Sequence, residues 1–201
     1  GRGRSATLGA GARRLAVECR TTEASMTMLS APDHTEAGEY YFLYINQVAG
    51  ADALGTLQTQ ATETSAFLRG ISEEQSGHRY APDKWTIRQV VSHINDTERL
   101  FVFRAFWFSR GLPEPLPSFD QDIAIAHAAA DQRSLRSHID EFDAVRAATL
   151  KLFQQLPPEA WARRGTASGN PFTVRALAYI AAGHVAHHMA ILRDKYLVRT
   201  A

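Results

Sequence analysis

The chain has 201 residues, 45% of them apolar and 21% charged, which suits one globular domain with a filled core. Its 22 basic and 21 acidic side chains leave a formal charge of +1, too little to gather nucleic acid or an anionic membrane, so neither partner is expected. A single cysteine, Cys19, excludes an internal disulfide framework and points to a reducing, cytoplasmic setting, and no run approaches the roughly 20 apolar residues of a membrane helix.

Residues 1–33 are rich in Gly, Ala, Ser, Thr and Arg and carry only Glu18, Glu23 and Asp33 as acids. They read as a flexible or non-native tail with no part in the fold. A targeting segment without a secretory core, or a stretch ahead of a start at Met26 or Met28, would look this way. From residue 39 onward the pattern is helical. Tyr40, Tyr41, Tyr44 and Ile45 space a short helix over Glu39–Val48. Asp52 is placed to cap a helix running to about Leu68, with Gly70 as its stop. Ser72 and Gln75 have capping-box spacing for one short turn.

Thr86 and Gln89 form a second capping box, and Ile87, Val90, Val91, Ile94, Phe101, Ala105 and Phe108 mark the apolar face of a long helix to about Arg110. Gly111 ends it, and Pro113, Pro115 and Pro117 force an extended connection. A short helix is expected within Asp120–Ala130. Ser134 then caps a third long helix, which Pro157 and Pro158 close. Arg163–Pro171 reads as a polar loop, and Thr173 caps a last helix from Val174 to about Tyr196. Four long helices with little strand-like alternation predict an all-α, antiparallel four-helix bundle with extra short helices over residues 39–197.

The histidines carry the chemistry. His184 and His188, four apart on one helix, project from the same face about a turn apart, as two imidazoles on one ion require. A straight helix cannot wrap an ion, so a third ligand must come from elsewhere, and His93 in the second long helix is the best candidate. Three nitrogen ligands leave coordination positions open, as in catalytic sites, and suit zinc, nickel, iron or copper. His187 points roughly 100° away from His188 and is expected to pack or face solvent. Neither a His-Glu-x-x-His run nor a Glu-x-x-His pair is present, which excludes the zinc-protease helix and disfavours di-iron bundles.

Asp96, just after His93, could orient an imidazole or act as a base. Arg104 lies on the side of His93 three turns on, suited to a surface ion pair or to a substrate carboxylate. Tyr179 and Arg175 are weaker candidates for the cleft border. The aromatic run Phe101, Phe103, Phe106, Trp107 and Phe108 exceeds one core face, so part of it should meet the short N-terminal helix or a second subunit.

These segments resemble the DinB/YfiT-like superfamily of metal-binding four-helix bundles over roughly residues 39–197. The resemblance is carried by Lys84-Trp85-Thr86-Ile87 leading into Val91–Arg99, by Pro117–Asp122, by Gly165–Pro171 and by Ala182–Leu192 with its His-x-x-x-His. It maps the family's three metal ligands onto His93, His184 and His188, and it implies a divalent ion, zinc or nickel above all. It further implies a metal-dependent transferase that activates a low-molecular-weight thiol such as bacillithiol, mycothiol or glutathione towards a small-molecule substrate, and a homodimer. The alternatives are a non-catalytic, metal-stabilised stress-response or binding module, and a metal-dependent hydrolase.

Overall fold

The computed structural model describes residues 29–198. Four long helices dominate: α2 (Ala53–Arg69), α3 (Ile87–Ser109), α5 (Leu135–Gln154) and α6 (Val174–Ile191), with the shorter α1 (Phe42–Val48) and α4 (Gln121–His127). Each long helix starts at the cap its sequence supplies. Asp52 accepts from the Gly55 amide, Ser134 from Ser137 and Thr173 from Ala176, while Thr86 and Gln89 complete a reciprocal box.

The fold is the expected all-α four-helix bundle. In cross-section α2 packs on α5, α5 on α3, α3 on α6 and α6 on α2. Arg69 reaches Asp140 while Leu57 meets Arg146, so α2 and α5 run antiparallel. His93 meets His188 while Arg104 lies over Phe172, so α3 and α6 do too. Between these pairs α3 and α5 run in the same sense, with Asn95 on His138 and Glu98 on Arg146 and Thr149. The long connection makes this possible. It leaves the end of α3, passes through α4, and returns to the start of α3, where Asp131 accepts from the Thr86 hydroxyl.

α1 lies along α6 so closely that a Cβ on Gly183 would stand 2.0 Å from the Tyr44 carbonyl oxygen. Only glycine permits that approach. The apolar core has two lobes. Phe101, Phe172 and Ala182 belong to one, and Val91, Ile94, Val185 and Met189 to the other. His184 sits at their junction.

Three sequence expectations change. Residues 163–171 are no loop: β1 (Arg164–Ala167) and β2 (Asn170–Thr173) form an antiparallel hairpin through Ser168 and Gly169, both at positive φ. Its strands are too short to show alternation, and its register is supported from outside, where the Leu116 amide donates to Thr166 and the Ser168 amide to Leu116. The α-helical ladder of α6 ends at Ile191, and Leu192–Tyr196 continues as a π-turn that sends the Tyr196 hydroxyl to the Trp85 carbonyl. The segment expected to take no part in the fold is docked from Leu29 onward. The Leu29 amide donates to Asp52, and the Ser30 hydroxyl accepts from Arg175. Cys19, Met26 and Met28 lie outside the described residues.

Candidate metal centre

Two elements of local order set the site. The capping box fixes the start of α3 and hence the turn on which His93 stands, and the α6 ladder puts His184 and His188 one turn apart. Antiparallel packing of α3 on α6 then brings the three together. Nε2 of His184 lies 3.1 Å from Nε2 of His93 and 3.1 Å from Nε2 of His188. Ligand nitrogens of all three residues lie within 4.8 Å of one another, the only such group of three potential ligands among the described residues. Two nitrogens bound to one tetrahedral zinc at the usual bond length stand ~3.3 Å apart, so the spacing fits one shared ion.

The surroundings keep these rings neutral. Burial pushes His93 down to about 4, and burial with the mutual repulsion of neighbouring imidazoles pushes His188 to about 3. His184 is driven well below its ordinary value for the same reasons. At neutral pH three uncharged rings therefore turn nitrogens toward one point, and among the described residues no carboxylate joins the group. Aromatic groups wall it: Trp85 lies 4.9 Å from His93 and Tyr44 5.1 Å from His184, with Phe101 beyond at 5.8 Å from His184.

His93 and His184 are buried, whereas His188 is partly exposed and lines a cleft of about 250 Å³ with Tyr80, Lys84, Trp85, Asp122 and Tyr196. The cluster is thus closed on one side and accessible on the other. A sequence profile of the DinB superfamily matches residues 56–192. The chain belongs to the DinB superfamily. Among solved structures it is similar to YfiT from Bacillus subtilis, at 17% identity and a TM-score of 0.56, covering 81% of this chain and 89% of that one. YfiT is described as "a probable metal-dependent hydrolase with an unusual four-helix bundle topology"; at this identity the likeness shows the fold. No curated protein matches the chain.

The other candidates fare differently. Asp96 does not orient an imidazole by a hydrogen bond; its carboxylate meets Arg99 at 3.4 Å. Burial raises its pKa, with the nearby Arg99 opposing. Arg104 forms no surface ion pair. It is buried, with Nη2 donating to the Pro117 carbonyl and the Ser168 hydroxyl, and it ties the proline connection to the hairpin. Tyr179 and Arg175 leave the cleft border as well. The Tyr179 hydroxyl donates to the carbonyls of Leu29 and Ala51, and Arg175 pairs with buried Glu36.

His187 packs edge-on against Tyr44 and His188 and stays out of the cluster. Of the aromatic run, Phe101 meets Tyr41 beside the short N-terminal helix, whereas Phe103 and Phe106 stay exposed. Sequence reasoning missed Thr97, whose hydroxyl stands 3.3 Å from Nδ1 of His184. Its position one turn after His93 was the available signal.

Proposed function

We propose that the chain binds one divalent ion, zinc or nickel, through Nε2 of His93, His184 and His188, and that it is a metal-dependent transferase acting with a low-molecular-weight thiol. The observation that supports this best is the convergence of three neutral imidazoles beside an open cleft. An ion held there would supply Lewis acidity, lowering the pKa of a thiol that reaches it. The chain's own residues do the rest. The buried rings exclude water from the closed side, Trp85 and Tyr196 shape the cleft wall, and partly exposed His188 marks the side from which a small molecule enters. With Cys19 the sole cysteine and none in the bundle, the nucleophilic sulfur would arrive with the cosubstrate.

Hydrolysis is the second reading, favoured by the description of YfiT. A dimer through the exposed Phe103 and Phe106 completes the proposal, and a monomer in sedimentation at micromolar concentration would remove it.

The deciding experiment is elemental analysis of protein purified without an affinity tag, wild type beside His188→Ala. About one equivalent of metal is expected in the first and little in the second. Equal metal in both would place any ion elsewhere. Conjugation assays with several small thiols and electrophiles then separate transfer from hydrolysis, and hydrolytic turnover without thiol consumption would select the second reading.

A further inference from the structure

We infer that Thr97 is a positioning residue that holds the His184 ring in the tautomer whose Nε2 is free to bind a metal ion. The inference rests on reading the three-histidine cluster as a metal centre. A neutral imidazole carries one proton and presents its other nitrogen as an acceptor. In solution either nitrogen can hold that proton, and a proton on Nε2 of His184 would point into the gap shared with His93 and His188, both 3.1 Å away.

Thr97 removes the choice. Its hydroxyl has one proton, and the closest acceptor is the His93 carbonyl one turn back, at 2.6 Å, with the Ile94 carbonyl at 3.2 Å on the same side. With that proton committed, the Thr97 oxygen can only accept from Nδ1 of His184 at 3.3 Å. The proton of His184 is therefore drawn to Nδ1, and the Nε2 lone pair faces the other two imidazoles.

Both Thr97 and His184 are buried, so the arrangement is protected from exchange with solvent. Among the described residues, His184 is the one ligand of the three with a protein group on the nitrogen turned away from the cluster. It is also the central ring, within hydrogen-bond distance of both others. The same hydroxyl thus grips the backbone under one ligand and the ring of another, linking the two helices that carry the site.

The test uses 15N NMR of the histidine rings in the ion-free full chain, together with zinc affinity by chelator competition. In wild type, His184 is expected wholly as the Nδ1–H form. Thr97→Val, which keeps the shape and loses the acceptor, should mix the tautomers and weaken zinc binding about 10–100-fold. Thr97→Ser, which keeps the oxygen, should restore both. A wild-type His184 protonated on Nε2 would overturn the inference without any variant having to fold, as would Thr97→Val with unchanged tautomer and affinity. If wild type binds no zinc, the metal centre itself fails, and the ion-free spectrum still reports whether Thr97 selects the tautomer.

Discussion

Five residues apart on α3, His93 and Glu98 each anchor a buried polar cluster, and the two are built on opposite terms. Around Glu98 every group finds its complement. The carboxylate accepts from Nε and Nη2 of Arg146 and from the Thr149 hydroxyl, each at 2.8 Å. Arg146 Nη1 also donates to the Leu57 carbonyl and to Gln60, whose amide donates to the Ala182 carbonyl. That cluster ties all four long helices and asks for nothing further. Around His93, three ring nitrogens face one another, and once His184 carries its proton outward its Nε2 can only accept. A closed network of charges holds a bundle together, whereas converging neutral imidazoles leave a place that a cation can complete. Proximity on one helix therefore does not make two buried polar groups alike; what distinguishes them is whether donors and acceptors balance.

The largest effect should come from unbalancing the closed cluster. Arg146→Ala would leave Glu98 buried without its guanidinium, and a loss of roughly 3–5 kcal/mol is expected in urea or thermal unfolding. A loss below 1 kcal/mol would mean the pair is dispensable and the contrast misplaced.

Next is completion of the open cluster. Zinc at a thousandfold excess over its Kd should stabilise wild type by about 4 kcal/mol, read as a raised Tm that a chelator reverses. His184→Ala should show no such rise, and a chelator-sensitive Tm in that variant would locate the ion elsewhere.

The pH response of the ion-free protein sharpens the difference further. Because burial holds His93 near 4 and His188 near 3, the unfolded chain, with ordinary histidines near 6.5, takes up protons first as pH falls. The stability of the neutral buried rings is therefore full above about pH 6.5 and declines as pH drops toward those folded values. Roughly 1–2 kcal/mol per histidine should be lost between pH 7 and 5, and His93→Phe should flatten the slope measured in urea. An unchanged slope would contradict burial as the cause.

The smallest effect tests the element both clusters share. Thr86→Ala removes the cap of α3 and should cost about 1 kcal/mol in thermal unfolding while metal stoichiometry stays at one. Loss of metal on this substitution would make the cap part of the site.

Much of this is legible in the sequence. Asp52, Thr86, Ser134 and Thr173 announced helix starts because a cap is a hydrogen bond spanning two or three residues. The hairpin at Ser168 and Gly169 was not legible, since its support comes from Leu116 far upstream. Arg104 reads as a surface cation by type, yet it is buried because the proline connection and the hairpin both fold over it. The docking of Leu29 was hidden for the same reason, as its partners Asp52 and Tyr179 lie far along the chain.

The sequence by itself determined where the helices begin and that His184 and His188 share a face, because helical geometry acts over three or four residues. Only the tertiary structure decided that a ring 91 residues earlier meets them, that Thr97 stands behind His184, and that Glu98 faces Arg146 while His93 faces two more imidazoles. Those outcomes depend on which helix faces pack together, and packing is settled by the whole core at once.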